Sequence, residues 1–125
     1  MSAVNLDQLC AKYGWQMAKE VHDAIKKQTE THITKSLGVL QEDGVYAFFL
    51  YQASRGSREK AGADKLKEQA AEFLREAKIQ AFQSTGDPLQ AVRDHLANDL
   101  DQLLLAKRLL EQALIYARYH AKALE

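Results

Sequence analysis

The stretch from Leu103 to Leu124 reads LLLAKRLLEQALIYARYHAKAL, and it decides the fold class. It contains no glycine and no proline, and it is rich in alanine and leucine, which are strong helix formers. Apolar residues recur along it at helical spacing, at Leu103, Leu110, Leu114, Ala117 and Ala121. Such spacing places them on one face of an α-helix. The sequence therefore predicts a long, apolar closing helix.

The rest of the chain also has a composition typical of long helices. One proline stands among 125 residues, and Ala, Leu, Lys, Glu and Gln are abundant, which favours helix throughout. The first helix is expected to begin after Asn5, a good N-cap with Gln8 three residues on, and to run to about Thr29. Gly14 lies inside this helix and weakens it by about 1 kcal/mol relative to alanine.

Two more helices are expected in the middle of the chain. The first covers about Ile33 to Glu42 and is expected to stop at Gly44, where a left-handed residue caps the last carbonyl groups. The second covers about Arg58 to Phe82. Its apolar residues again recur every three or four positions, so both segments are predicted to pack one face against a core.

The clearest loop is the stretch Ser84 to Pro88. Asp87 is predicted as the N-cap of the helix that follows, with Pro88 at the first helical position, where its missing N–H group costs nothing. The chain is expected to bend again near Asn98 and Asp99, before the closing helix. Neither side of the loop has enough apolar residues to fold alone, so no domain boundary is predicted there.

The segment Val45 to Tyr51, VYAFFLY, is ambiguous by periodicity alone. A short, wholly apolar run suits a buried strand as well as a buried helix. A lone strand would have no partner to complete its hydrogen-bond ladder, so a helix is predicted. Taken together, the segments predict an all-α fold: a single-domain bundle of five or six helices over residues 1–125.

The charge balance and the composition exclude several classes of protein. Lys and Arg number 17 and so do Asp and Glu, which argues against a tight, independent nucleic-acid binder. The lone Cys10 rules out a disulfide framework. No leader segment is recognisable, and no apolar run approaches the roughly 20 residues of a membrane span. We therefore expect a cytoplasmic protein with no membrane partner.

No catalytic or metal-binding constellation is evident. The four histidines lack a second ligand at helical spacing, so each is expected to be an ordinary surface or half-buried residue: His22, His32, His95 and His120. Cys10 is expected to be a small buried hydrophobe, and no glycine-rich phosphate loop is present. We predict that the protein is not an enzyme and uses no metal, cofactor or small-molecule substrate. The alternative is a small helical enzyme that uses His95 or His120.

Two stretches of this neutral chain are locally basic. The first contains Arg55, Arg58 and Lys60, and the second, on the closing helix, contains Lys107, Arg108, Arg118 and Lys122. Positions 107, 111, 118 and 122 share one helical face, and an arginine beside a tyrosine, as at Arg118 and Tyr119, can hold a phosphate and stack on a base. These seven cations are the candidate contacts to a nucleic acid. The alternative is a solvated face with an exposed Lys107–Glu111 ion pair.

The closing helix is also more apolar than one core face requires. Leucines and an isoleucine wrap around it, and the segment Val45 to Tyr51 is aromatic on all sides. Such helices lie either at the middle of a bundle or at an interface with another chain.

Three pieces of the sequence follow one another in a recognisable order: Ser36–Gly44, a short helix ending in glycine; Val45–Tyr51; and Leu103–Leu124, with YARYHAK at Tyr116–Lys122. This order resembles the small all-helical subunit of type III CRISPR effector complexes, closest to the Cmr type, over most of the chain. The resemblance implies a non-catalytic building block for antiviral defence. Copies of such subunits stack along the filament and help hold guide and target RNA, while a backbone subunit cuts the target.

Two functions are thus carried forward. In the first, the chain is such a small subunit, whose partners are the other effector subunits, further copies of itself, guide RNA and target RNA. A neutral monomer contributes to RNA binding in that setting because repeated copies multiply weak contacts through effective concentration. In the second, the chain is a protein-only helical adaptor that docks a partner through apolar helix faces, without nucleic acid.

Overall fold

A computed structural model describes residues 5–83 and 86–125, and this part of the chain is helical without a strand. Its six α-helices are α1 (Leu6–Ile25), α2 (Thr29–Asp43), α3 (Val45–Ser54), α4 (Lys60–Glu76), α5 (Pro88–Asp94) and α6 (Leu100–Leu124). Short 3₁₀ turns lie at Ser57–Glu59, Gln80–Phe82 and Leu96–Asn98. The prediction of an all-α bundle is confirmed. None of the described helices combines the length and the apolar character needed to cross a bilayer.

Helices α1 and α6 run parallel and have the most extensive contact in the bundle. The Cys10 sulfur lies 3.7 Å from the carbonyl oxygen of Leu109, and one turn farther along both helices Gly14 lies against Ala113 and Tyr116. A Cβ atom on Gly14 would stand only 2.5 Å from the Tyr116 Cβ. Small side chains therefore let these two helices approach closely. Cys10 is buried, as predicted.

Helix α4 packs antiparallel to α1. Near the start of α1, the Lys12 Nζ lies 3.5 Å from an oxygen of Glu76 at the end of α4. At the other end, Gly62 near the start of α4 lies against the Ile25 side chain, with which α1 ends.

Helix α2 packs antiparallel to α6. The Glu125 carboxylate, which follows α6, accepts the backbone N–H of Gln28 at the start of α2. Near the end of α2, the Gln41 amide donates to Glu111 over 2.8 Å. The C-terminal ends of α1 and α6 therefore meet the N-terminal ends of α2 and α4 at one end of the bundle.

Helix α3 contains the aromatic segment that was ambiguous from the sequence. The predicted helix is confirmed there. Phe48 and Phe49 have no exposed surface, and the Phe49 ring centroid lies 5.8 Å from that of Phe82. These phenylalanines therefore belong to the core, whereas the neighbouring Leu50 is 48% exposed.

The predicted end of the first helix is wrong. Helix α1 ends at Ile25, and Thr29 begins α2, which starts earlier than the predicted Ile33. The reason is a tight turn in which Lys26 and Gln28 adopt positive φ angles of 64° and 63°. The Lys26 N–H closes α1 on the His22 carbonyl. This turn brings the start of α2 beside the end of α1.

The predicted helix from Arg58 to Phe82 is also too long. Helix α4 spans only Lys60–Glu76, because Lys78 adopts a φ of 66° and reverses the chain. The Arg75 guanidinium then holds the following segment through the Phe82 carbonyl, at 3.2 Å. The chain before and after this helix forms 3₁₀ turns instead.

The predicted caps are confirmed. The side chains of Asn5 and Asp87 accept the N–H groups of Gln8 and Leu89, and Gly44 ends α2 with a φ of 97°. The predicted bend near Asn98 is also present, since Asp99 caps a new helix. Ser84 and Thr85 of the predicted loop lie outside the described residues.

Candidate functional site

A cleft of about 220 Å³ opens at the end of the bundle where α1 ends and α2 and α4 begin. The turn after α1 contributes one wall, the first two turns of α2 another, and the 3₁₀ turn before α4 the third. We call it the cationic cleft; its lining residues are Ile25, Lys27, Gln28, Thr31, His32, Lys35, Arg58 and Glu59.

The charges of the cleft do not balance. Among the ion pairs of the described residues, none includes Lys27, Lys35 or Arg58. The single carboxylate in the lining, Glu59, forms an ion pair with the Arg55 guanidinium over 3.6 Å. Three cations therefore share a small polar cleft in a protein of zero net charge. An anion that enters the cleft is attracted by all three.

Arg55 is not part of the cleft lining, but it pairs with Glu59, which is. Its guanidinium lies over the Tyr51 ring, 4.1 Å from the centroid, and donates to the Tyr51 carbonyl and to the Ser54 hydroxyl, each at 3.2 Å. With so many internal partners, Arg55 is a positioning residue that holds Glu59, rather than a free contact for a ligand.

The N-terminus of α2, beside the cleft, is already occupied from within the chain. The two Glu125 carboxylate oxygens accept the backbone N–H groups of Gln28 and Glu30 at 3.1 and 3.0 Å. A carboxylate at this position is stabilised by the helix dipole. An external anion in the cleft must therefore be held by side chains.

A buried polar network lies behind the cleft, around His32. The His32 Nε2 is 3.0 Å from the Gln52 Oε1, the Gln52 amide donates to the Ser36 hydroxyl over 2.8 Å, and that hydroxyl donates to the His32 carbonyl. The His32 side chain is almost fully buried, so the expectation of a surface or half-buried histidine is wrong. Burial lowers the pKa of the imidazole, because desolvation disfavours its charged form.

Protein stability is expected to fall as the pH drops below about 6.5, in part because of His32. The unfolded imidazole takes up a proton near its ordinary pKa of 6.5, whereas the folded one resists protonation. The unfolded state then binds more protons, so the free energy of unfolding decreases through this range. Urea titrations at pH 7.5 and at lower pH check this; a His32→Gln variant with the same pH dependence as the wild type would contradict it.

The three cations that the sequence predicts in the first basic stretch lie in different places. Arg58 lines the cleft and Arg55 lies behind it. Lys60 instead pairs with Asp64 at 3.2 Å on the exposed side of α4. Sequence reasoning missed Lys27 and Lys35. The pair of lysines at 26–27 is a local signal for Lys27, whereas no local pattern marks Lys35.

The predicted cations on α6 do not join the cleft as one site. Lys107 and Lys122 lie about 22 Å apart along the helix. The predicted Lys107–Glu111 ion pair is wrong, because both side chains form hydrogen bonds with Gln41 instead. Its carbonyl accepts from Lys107 at 3.3 Å, and its amide donates to Glu111.

The remaining candidates on α6 are Arg108, Arg118 and Lys122. The Arg118 guanidinium lies 5.5 Å from the centre of the Tyr119 ring, and Arg108 and Lys122 are exposed. Lys122 lies within one turn of Glu125, which binds the backbone of Gln28 in the cleft lining. Arg118 and Lys122 are one turn apart on α6 and form a positive strip that ends near Glu125.

A second surface feature is an apolar groove of about 350 Å³ between α1 and α6. Trp15, which is 50% exposed, and Leu124 lie along it, with Lys19, Asp23 and His120 at its sides. Tyr119, farther around α6, is 63% exposed. Part of the excess apolarity of α6 is thus at the surface. The buried leucines Leu109, Leu110 and Leu114 account for the rest.

Ligating side chains are scattered over the described residues, with no group of three His, Cys, Asp or Glu placed to hold a metal ion. The feature with a defined chemistry is the cationic cleft, whose cations and polar donors suit a phosphate. Comparison with protein families, curated proteins and solved structures finds no match for this chain.

Proposed function

We propose that this chain is a non-catalytic small subunit of a type III CRISPR effector complex, closest to the Cmr type, and that it contacts guide or target RNA through the cationic cleft. The observation that carries the proposal is the set of three cleft cations, Lys27, Lys35 and Arg58, without a carboxylate partner among the described residues. In this role the protein acts in the cytoplasm, in antiviral defence.

The chemistry of the cleft suits the RNA backbone better than the bases. Lysine and arginine contacts to phosphate fix the position of a strand without reading its sequence. A subunit that lies beside guides of any sequence needs this property. Arg118 and Lys122 continue the positive surface along α6, and Tyr119 offers a ring on which a base can stack.

The neutral charge of the chain is consistent with a subunit that works in an assembly. A few phosphate contacts give weak binding at physiological salt. Copies held at fixed spacing convert these contacts into intramolecular ones and raise the overall affinity. The apolar groove between α1 and α6 is a surface on which a neighbouring subunit can pack.

The alternative is the protein-only adaptor, and the exposure of Trp15 and Tyr119 favours it. Aromatic side chains of this size are typical anchors of protein interfaces. The two proposals differ in whether RNA accompanies the protein partner.

Purification of the tagged chain from its native cell tests the proposal. We expect it to copurify with the other effector subunits and with a small RNA of uniform length. Recovery of a protein partner without RNA would contradict the small-subunit role and favour the adaptor.

Charge reversal in the cleft is expected to weaken RNA binding by the assembled complex. In the double variant Lys35→Glu/Arg58→Glu, two phosphate contacts are lost, so affinity falls by about tenfold or more. The slope of log K against log salt becomes shallower by about 1.4, since each phosphate contact contributes about 0.7 on single strands. Fluorescence anisotropy at several salt concentrations measures both quantities. The double variant Arg118→Glu/Lys122→Glu tests the strip on α6 in the same way.

The matched control is Lys78→Glu. Lys78 is exposed and follows the far end of α4, about 25 Å along that helix from the cleft. It has no acidic partner among the ion pairs of the described residues. We expect this variant to keep the wild-type slope. If the cleft variant behaves like Lys78→Glu, the cleft does not contact RNA.

A further inference from the structure

The proton positions in the His32 network follow from its hydrogen bonds. The Ser36 hydroxyl has one proton and donates it to the His32 carbonyl, 2.8 Å away. Toward Gln52 this hydroxyl can therefore only accept, so the Gln52 NH₂ group faces Ser36 and its carbonyl oxygen faces the His32 Nε2. Since that oxygen only accepts, Nε2 carries the proton of the neutral imidazole. The lone pair of the ring is on Nδ1.

The Nδ1 lone pair has no hydrogen-bond partner. The atom is shielded from water, and no donor of the described residues reaches it. A buried acceptor left in this state costs roughly 1–3 kcal/mol. Native proteins keep few such groups, and those that occur are explained by strain, a catalytic role, or an ordered water or ion. His32 is one of the residues that line the cationic cleft, so a ligand bound there is a possible source of the missing donor.

We propose that the cleft binds one ribose-phosphate unit of RNA, with the phosphate held by Lys27, Lys35 and Arg58 and the 2′-hydroxyl donating to His32 Nδ1. The inference rests on the proposed function and adds to it a means of telling RNA from DNA. The 2′-hydroxyl is the donor that DNA lacks. It lies next to the 3′-phosphate of the same nucleotide, so one nucleotide supplies both the anion and the donor.

Two further features fit this assignment. Nδ1 accepts a hydroxyl only when the imidazole is neutral. Burial, together with the nearby charges of Lys35 and Arg55, lowers the pKa of His32 and opposes its protonation, whereas Glu59 and the bond to Gln52 act in the opposite direction. Nδ1 is shielded in the unbound protein, so binding must move the side chains that cover it. Lys27, Lys35 and Arg58 line the same cleft and have long, rotatable side chains.

The test measures the affinity of the full chain, at low salt, for three short oligonucleotides of one sequence: RNA, DNA and 2′-fluoro RNA. The fluorine keeps the sugar pucker of RNA but cannot donate a hydrogen bond. We expect the wild-type chain to bind RNA about five- to tenfold more tightly than 2′-fluoro RNA, which corresponds to one net hydrogen bond. Equal affinities for these two, or no binding of RNA, would overturn the proposal.

The variant His32→Gln assigns the effect to Nδ1. A glutamine amide can replace the Nε2 donor toward Gln52, but it places no acceptor where Nδ1 was. We expect this variant to bind RNA and 2′-fluoro RNA equally, with the affinity that the wild type has for 2′-fluoro RNA. Retained preference for RNA would contradict the role of His32. If the variant does not fold, the wild-type comparison still decides, together with the ¹⁵N shift of His32 Nδ1, which RNA but not 2′-fluoro RNA should move.

The matched control is His22→Gln, the same substitution at the same end of the bundle. The His22 Nδ1 lies 3.3 Å from the Thr29 hydroxyl, and His22 does not line the cleft. We expect this variant to keep the preference for RNA. Failure of the RNA discrimination leaves the small-subunit role intact if the chain still copurifies with effector subunits and RNA, so the two proposals fail separately.

Discussion

Replacing Phe49 with alanine is expected to lower the free energy of unfolding by about 3–5 kcal/mol. The Phe49 side chain has no exposed surface. It packs edge-on against Phe48, with ring centroids 5.2 Å apart, and against Phe82 in the 3₁₀ turn after α4. Truncation removes the buried ring and leaves a cavity between α3 and that turn. Because small domains are stable by only about 5–15 kcal/mol, the variant should lose much of its stability. Urea unfolding followed by circular dichroism measures the change.

The control is Leu50→Ala in the same helix. The Leu50 side chain is 48% exposed, so its truncation should cost less than about 1 kcal/mol. A Phe49→Ala variant as stable as Leu50→Ala would mean that Phe49 is not part of the core, and that α3 presents this ring to another chain.

Much of the fold could be predicted because its signals are local. Asn5, Gly44 and Asp87 each act on backbone groups within four residues of themselves, so their capping roles are visible in the sequence. The end of α1 was not visible. It depends on positive φ angles at Lys26 and Gln28, which non-glycine residues rarely adopt. The following helix start is held by Glu125, nearly a hundred residues away.

The candidate site was predicted only in part, for the same reason. Arg58 stands in a basic stretch that the sequence displays, but Lys27 and Lys35 reach the cleft only because α1, α2 and α4 meet at one end. His32 looks like an ordinary histidine in the sequence because its partner Gln52 lies on the next helix, 20 residues on. No spacing rule within one helix connects such residues.

The ion pairs show how a chain of zero net charge keeps a local surplus of cations. Seven ion pairs join side chains of the described residues, and most link neighbouring turns of one helix. These pairs neutralise charges where they stand. The cations left without a carboxylate include the three of the cleft. A balanced total therefore coexists with three cations in one cleft that have no ion-pair partner among the described residues.

The substitution Gly14→Leu is expected to lower the free energy of unfolding by about 3 kcal/mol or more, and Gly14→Ala by about 1–2 kcal/mol. Even the single carbon of alanine would stand 2.5 Å from the Tyr116 Cβ and 3.0 Å from the Ala113 carbonyl oxygen. Both neighbours belong to the α6 helix, close to its backbone, so they cannot rotate away and the helices must separate. Overpacking of this kind costs about 1–3 kcal/mol, occasionally more. Either residue recovers up to about 1 kcal/mol of helix propensity relative to glycine, and the net loss is smaller for alanine because its side chain ends at Cβ.

The same glycine-to-alanine change at Gly38 is expected to raise the free energy of unfolding. Gly38 lies inside α2, and a Cβ atom there would meet nothing within 4 Å. This variant should therefore gain about 0.5–1 kcal/mol from helix propensity alone. Thermal and urea unfolding of the two alanine variants side by side should give shifts of opposite sign. A gain in stability at Gly14 equal to that at Gly38 would contradict the close approach of α1 and α6 at Gly14.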